Sequence, residues 1–275
     1  MATTGSGNPR IPLSLRAVSW VESAVAFAAG AIMFLTPSTG TRIWAWAPPP
    51  FNARFLGAIY FAALVPLLIL AAQGRWAPGR VVLWMTFTFT FSIMVTMFFY
   101  RDQFEWSRPV AWAFWILLIL LPILSAVFLT RLRSWAPADP RALPPPWIGV
   151  LQILAVLLGS YALALLAIPK VAASFWPWPV DDFHGRIYAA IFAAPAVGAW
   201  LVRAFGNRRE YITLGLTLAT LGLFTVAGMV WTNAIVPPER QVDYGAAGTI
   251  AFLVMNAVLI VIGGAMARAG SRLRG

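Results

Sequence analysis

Apolar residues fill eight long stretches of the chain, separated by short polar or proline-rich segments. The stretches cover 17–35, 55–72, 81–100, 110–129, 148–168, 187–202, 211–231 and 245–266. Each is close to the roughly 20 residues with which a helix crosses a bilayer, and a helix satisfies its own backbone groups in lipid. The run at 86–92 alternates like a strand, but it lies inside an apolar stretch and is predicted to be helical. The pattern predicts an all-α integral membrane protein with eight transmembrane helices.

One twenty-residue segment, 43–62, is similar to another, 175–194, which lies 132 positions further along the chain. Self-similarity at a fixed spacing indicates a duplicated unit. Because each half has an even number of spans, both halves are expected to insert in the same orientation, around an axis along the membrane normal. The sequence predicts two tandem, parallel-oriented four-helix repeats, 13–130 and 148–268. The identical pairs are Trp44/Trp176, Trp46/Trp178, Phe51/Phe183, Arg54/Arg186, Ala58/Ala190, Ile59/Ile191 and Ala62/Ala194.

Three further segments flank or join the predicted repeats. Residues 1–12, rich in Gly, Ser, Thr and Pro, are predicted to form a disordered N-terminal tail. Residues 131–147 contain five prolines and are predicted to form an extended cytoplasmic linker. Residues 269–275 form a basic C-terminal tail in this prediction.

Composition narrows the classes of function. The chain is 60% hydrophobic and 11% charged, whereas a soluble domain is about a quarter charged, so the lipid bilayer is its predicted partner. The absence of cysteine excludes disulfides, thiolate catalysis and sulfur-ligated metals. A single histidine, His184, excludes a bis-histidine haem, and a single lysine, Lys170, lies outside the apolar spans and excludes an intramembrane Schiff base. No metal site is predicted, and no motif identifies a cofactor.

Basic residues are distributed unequally between the two sides of the predicted membrane. Thirteen lie on the side of the two termini and seven on the other side, together with six of the nine acidic residues. The positive-inside rule therefore predicts that both termini are cytoplasmic. The net charge of +11 is interpreted as topological, with anionic headgroups of the inner leaflet rather than nucleic acid as the partner. Nineteen arginines against one lysine suggest a GC-rich coding sequence and the cytoplasmic membrane of a bacterium.

The duplicated segment carries the motif W-x-W-x4-F-x-x-R just before a predicted helix. One interpretation is an aromatic belt with snorkelling arginines, because indole rings favour the membrane interface. The alternative is that Arg54 and Arg186 face each other near helix N-termini and bind a carboxylate or phosphate headgroup. Under that hypothesis the ligand-binding residues also include Trp44, Trp46, Trp176 and Trp178.

The two copies of the segment differ in their acidic residues. The second copy has Asp181, Asp182 and His184 where the first has two prolines and Asn52. Carboxylates beside an imidazole suit acid–base chemistry, so these three are the candidate catalytic residues. The alternative is a solvated loop in which Asp182 caps the following helix.

Glu22 is the only acidic residue inside an apolar span. Ionisable groups in the membrane are costly and commonly functional, which makes Glu22 a candidate ligand-binding residue. The alternative is a polar contact between helices, since Gln152 occupies a similar place in the fifth span.

Three functions follow as hypotheses. The first is a carrier or binding protein for a small uncharged or amphipathic solute, or a lipid, between the two halves. The second is an integral-membrane enzyme that acts on a lipid or isoprenoid at the outer face. The third is a non-catalytic subunit or scaffold that packs against a membrane-protein partner.

Overall fold

The computed structural model describes residues 8–135 and 145–272, and this part of the chain is helical. Eight of its helices are long and apolar enough to cross a membrane, which confirms the prediction of a multi-pass helical membrane protein. The run at 86–92 lies inside one of them. The spanning helices are α1 (Leu13–Leu35), α3 (Pro50–Gln73), α4 (Trp76–Phe99), α5 (Pro109–Arg131), α6 (Pro145–Ala167), α8 (Asp182–Phe205), α9 (Arg208–Ile235) and α10 (Ala247–Arg272). Two short helices, α2 (Pro37–Ile43) and α7 (Pro169–Ala172), and single turns at 101–103 and 238–240 lie in the loops.

Local sequence explains where several helices begin and end. Pro50 opens α3 at a position where its missing N–H removes no helical hydrogen bond. Gly74 ends the same helix in the left-handed conformation, with φ of 57°, which glycine adopts without strain. Asn207 and Glu210 form a reciprocal capping box at the start of α9, so the first N–H groups of that helix are satisfied.

Helices α3, α4, α8 and α9 form the centre of the bundle. Helix α3 packs against α9, and α4 packs against α8, whereas α3 and α4 contact each other little. The outer helices each cover one central helix: α1 covers α3, α6 covers α8, α5 covers α4, and α10 covers α9. The exposed apolar side chains of the outer helices suit contact with lipid. The first four and last four spans therefore interleave through two helix pairs and do not form two separate bundles.

The predicted N-terminal tail, linker and C-terminal tail lie partly outside the described residues. Residues 1–7 of the predicted tail lie outside the described residues, but Ile11 and Pro9 make backbone hydrogen bonds to Gly74 and Trp76. Of the predicted linker, 136–144 lies outside the described residues, and α6 already begins at Pro145. Helix α10 continues to residue 272, so only 273–275 of the predicted C-terminal tail lie outside.

We expect Gly215→Leu to destabilise the contact between α9 and α10. A Cβ at Gly215 would lie 2.7 Å from the carbonyl oxygen of Gly263, so a larger side chain forces the two backbones apart. Overpacking of this kind costs about 1–3 kcal/mol. Thermal unfolding in detergent measures the effect, with Gly264→Leu as control because a Cβ there meets open space. Equal stability of the two variants would contradict the close approach.

The predicted orientation is tested at the two ends of α5. Ser107 and Ser134 are exposed on opposite ends of this helix, and the chain has no native cysteine. We expect a membrane-impermeant maleimide to label Ser107→Cys on intact cells and Ser134→Cys only after permeabilisation. The reverse pattern would place the termini outside.

Candidate functional site

The loops that precede α3 and α8 carry the four tryptophans of the duplicated motif, and we call the end of the bundle that holds them the tryptophan end. All four rings are buried within the protein, with exposed fractions of 4–6%. A ring in an aromatic belt faces the membrane interface, so this burial does not fit the belt interpretation. Three of the rings instead pack against rings of the other half of the chain, and the fourth, that of Trp44, packs against rings of its own half. The four buried tryptophans are Trp44, Trp46, Trp176 and Trp178.

Two hydrogen bonds connect the duplicated segments reciprocally. The indole Nε1–H of Trp46 donates to Nε2 of His184 over 3.1 Å. The corresponding group of Trp178 donates to Oδ1 of Asn52 over 3.0 Å. Asn52 and His184 occupy the same aligned position of the two segments, so each segment supplies one donor and one acceptor to the other. The hydroxyl of Tyr188 donates to the same Asn52 oxygen over 2.8 Å.

Aromatic rings fill the space around these bonds. Phe51 stacks on Trp178 with ring centroids 5.5 Å apart, and Phe55 meets Trp176 edge-to-face at 5.1 Å. Tyr188 stacks on Trp176 at 5.4 Å and is fully buried. Such pairs add about 0.5–1.5 kcal/mol each beyond the burial of their area. The tryptophan end is therefore a tightly packed interface between the two halves.

The hydrogen bonds of His184 identify its tautomer. An indole N–H can only donate, so Nε2 of His184 accepts from Trp46 and carries no proton. The proton lies on Nδ1, which donates to Oδ2 of Asp181 over 2.7 Å. A neutral imidazole is thus held between a donor and a carboxylate. The nitrogen that a general base would use is already occupied by Trp46.

Asp181 also caps α8. Its Oδ1 accepts from the backbone N–H of His184 over 2.8 Å, so the helix cap is Asp181 and not Asp182 as the sequence suggested. Partial burial acts to raise the pKa of Asp181, but the hydrogen bonds that its carboxylate accepts from the imidazole and the backbone N–H of His184 outweigh it and hold the pKa below its ordinary value. Asp182 lies apart from this pair, with Oδ2 at 3.7 Å from Nζ of Lys170 on the exposed surface. Only two of the three candidate catalytic residues are therefore in contact.

Arg54 is buried, with 2% of its surface exposed. Its Nε donates to the carbonyl oxygen of Phe34 and its Nη1 to Oγ1 of Thr232, both over 3.1 Å. The guanidinium also lies over the ring of Trp231, 4.6 Å from the centroid. Arg54 thus connects α3 to α1 and to the last turn of α9.

Arg186 makes the corresponding contacts on the other side of the bundle. Its Nη1 donates to the hydroxyl of Tyr100 over 2.6 Å and to the carbonyl oxygen of Asp182 over 3.3 Å. It therefore connects α8 to the residue that follows α4. Arg54 and Arg186 share no partner within the described part of the chain, and the structure places each in a separate contact between helices.

Glu22 lies partly buried on α1 and makes no hydrogen bond or ion pair with another described residue. Gln152 is exposed on α6. The structure does not bring either side chain into the cluster at the tryptophan end.

We call the opposite end of the bundle, where α3 and α8 end and α4 and α9 begin, the arginine-rich end. It holds an ion pair that was not predicted from the sequence. Nε and Nη2 of Arg80 donate to the two carboxylate oxygens of Glu210 over 3.0 and 2.9 Å. Glu210 is fully buried, and this bidentate pair connects α4 to α9. The residues are 130 positions apart, so no local pattern signals the contact.

Sequence reasoning also missed an apolar groove of about 350 Å³ between α4, α6 and α8. Its walls are Trp84, Ala155, Val156, Ala196, Val197, Trp200 and Leu201. Arg203 follows one turn after Trp200, and its guanidinium carbon lies 5.0 Å from the centroid of that ring. The Nε of Arg203 is buried without a hydrogen-bond partner among the described residues. The local signal was the spacing of Trp200 and Arg203, which places both on one face of a helix.

We expect Trp46→Phe to destabilise the protein more than Trp178→Phe. The first change leaves Nε2 of His184 buried without a donor, at about 1–3 kcal/mol, whereas Asn52 keeps the hydroxyl of Tyr188 after the second. Thermal unfolding in detergent measures the difference. Trp84→Phe is the control, because its indole makes no hydrogen bond to a described residue. Equal losses at residues 46 and 178 would contradict the assigned tautomer.

Within the described residues, no three His, Cys, Asp or Glu side chains come together as a metal site would need. Comparison with known proteins adds no assignment, since no family model, no curated protein and no solved structure matches this chain.

Proposed function

We propose that the protein binds an amphipathic lipid with an anionic headgroup in the groove between α4, α6 and α8. It acts as a carrier or binding protein for that lipid in the cytoplasmic membrane of a bacterium, with both termini in the cytoplasm. The observation that carries the proposal is the apolar groove whose wall Trp200 contacts the guanidinium of Arg203, since Nε of that guanidinium has no hydrogen-bond partner among the described residues.

The walls of the groove suit an acyl chain. They consist of two indole rings and small or branched aliphatic side chains. A volume of about 350 Å³ falls in the range of about 300–1,000 Å³ that is typical of ligand sites. The two large rings, Trp84 and Trp200, are each partly exposed to the membrane, so a lipid can enter sideways.

Arg203 suits the headgroup. It lies in the last turn of α8, at the arginine-rich end, where the positive-inside rule predicts the inner leaflet. A guanidinium binds phosphate through parallel N–H groups, and it forms no ion pair with a described residue. Arg80 lies near the same end of α8, where it donates to the carbonyl oxygen of Phe205, but Glu210 neutralises its charge. The headgroup contact is therefore assigned to Arg203.

The proposal includes two duplicated, parallel four-helix halves. Helices α3 and α8 have the same length of 24 residues and begin 132 positions apart, at Pro50 and Asp182. The α3–α9 and α4–α8 contacts correspond to each other under the same offset, as do the two indole hydrogen bonds. The groove then lies between the halves, with α4 from one and α6 and α8 from the other.

The offset also explains why only one such groove is proposed. The positions that correspond to Trp84, Trp200 and Arg203 are Leu216, Leu68 and Ala71. The equivalent surface of α9, α1 and α3 thus lacks both the indole walls and the cation. The two corresponding surfaces therefore differ in these features.

We expect Arg203→Gln to lower the preference for anionic lipid about tenfold, because a hydrogen bond to a charged group contributes about 1.5–3 kcal/mol. Reconstituted protein is cross-linked to phosphatidylglycerol or phosphatidylcholine with a photoactivatable tail, and the labelled fraction is compared. Arg131→Gln, at the same end of the bundle on α5, is the matched control.

A second variant tests the groove itself. Val156→Trp should reduce labelling by both lipids, because the added ring covers the groove. Val254→Trp on α10 is its control, since the two valines are equally exposed at 56%. Unchanged labelling in Arg203→Gln and Val156→Trp would refute the proposal. Movement of a fluorescent lipid between leaflets of proteoliposomes separates a carrier from a binding protein.

The contact between Asp181 and His184 favours a second candidate, an enzyme that acts on a lipid or isoprenoid at the tryptophan end. Acid–base catalysis would require His184 to exchange its bond with Trp46 for one with substrate. Conversion of headgroup-labelled lipids by the wild type, lost in His184→Ala and in Asp181→Asn, would support this candidate. The lipid-binding proposal predicts no conversion.

A further inference from the structure

We infer a second binding site at the arginine-rich end, a pocket that takes a phosphate group. The pocket has a volume of about 430 Å³. It lies where the end of α3, the residue before α4 and the first turn of α9 meet. Its lining residues are Gln73, Arg75, Arg208, Arg209 and Ile212.

Neutral oxygen atoms hold the three arginines in place. Nη1 of Arg75 donates to the carbonyl oxygen of Asn8 over 3.0 Å, and Nε of Arg208 donates to that of Gly270. Nη1 of Arg209 donates to the side-chain oxygen of Gln73 over 3.3 Å. A guanidinium has five N–H donors, so these contacts orient each group and leave most of its donors free.

The positive charge of the pocket is not cancelled within the described chain. None of the three arginines forms an ion pair with a described carboxylate. Glu210 is the nearest acidic residue in sequence, but its carboxylate binds Arg80 and the backbone N–H of Asn207. Three guanidinium groups around one cavity repel one another until an anion enters.

Phosphate matches this arrangement better than a carboxylate does. It offers three or four oxygens to guanidinium groups from two segments of the chain, Arg75 before α4 and the pair Arg208 and Arg209 at the start of α9. Planar guanidinium groups bind such oxygens in pairs. The positive end of the α9 dipole points towards the same place and adds to the attraction. The site therefore takes a phosphomonoester or phosphodiester, from a soluble molecule or from a lipid headgroup at the membrane surface. It is separate from the lipid groove, because neither α6 nor α8 contributes a lining residue.

The test is thermal unfolding of the purified full-length protein, titrated with inorganic phosphate and pyrophosphate in detergent. A bound anion raises the melting temperature in a saturable way. We expect Arg209→Gln to raise the half-saturating concentration about tenfold, because it loses a charge-assisted hydrogen bond. This side chain is exposed and, among the described residues, forms a hydrogen bond to Gln73 alone, so its loss leaves the fold intact. Arg268→Gln, exposed at the same end on α10, should titrate like the wild type.

A second arm identifies the source of the phosphate. The same proteins are placed in nanodiscs of phosphatidylcholine with or without phosphatidic acid. Stabilisation by phosphatidic acid that depends on Arg209 assigns a lipid headgroup, and stabilisation by soluble phosphate alone assigns a soluble ligand. Identical titrations of wild type and Arg209→Gln in both arms would overturn the site. The lipid groove is judged separately by Arg203→Gln, which should leave the phosphate titration unchanged.

Discussion

The reciprocal hydrogen bonds at the tryptophan end are the constraint on which the rest of the structure depends. Trp46 and His184 are 138 positions apart, and Trp178 and Asn52 are 126 positions apart, yet both pairs meet inside one buried cluster. In lipid no hydrophobic force drives helices together, so close packing and polar bonds decide their arrangement. An indole or imidazole nitrogen left without a partner there would cost about 1–3 kcal/mol. These bonds fix α3 and α8, and the remaining helices pack around that pair and its partners, α9 and α4.

The two ends of the bundle differ in physical character. At the tryptophan end, the donors and acceptors of the reciprocal network are paired and the surrounding rings are buried, which favours rigidity over ligand exchange. At the arginine-rich end, cations outnumber the carboxylates that could neutralise them, and both proposed sites lie there. Arg80 and Glu210 form the exception, because their bidentate pair ties α4 to α9. The proposed lipid contact at Arg203 and the proposed phosphate pocket both use arginines that form no ion pair with a carboxylate in the described part of the chain.

Eight spans could be predicted from the sequence because bilayer thickness sets the length of an apolar helix, whatever the neighbours of that helix are. The helical state of 86–92 followed for the same reason, since lipid forbids an unpaired strand. The sequence also draws attention to Trp44, Trp46, Trp176 and Trp178, because a tryptophan repeated in register is rare. Their burial was not foreseen, since an indole ring suits a membrane interface and a protein interior equally well. The duplicated halves remain a proposal, which the matched contacts of α3, α4, α8 and α9 support.

What the sequence by itself determined is therefore one-dimensional: which segments are long and apolar enough to span a membrane, and which short segment occurs twice. Only the tertiary structure decided which helices touch, because apolar faces in lipid carry no directional signal. It separated Arg54 from Arg186 by giving each its own acceptors, Thr232 and Tyr100. It placed Asp181 in hydrogen-bond contact with His184 and placed Asp182 at the surface beside Lys170. It also placed side chains from distant spans around the groove and the arginine pocket. The spacing of residues along the chain predicts neither site, because each site is formed in part by helices that are close in space without being neighbours in sequence.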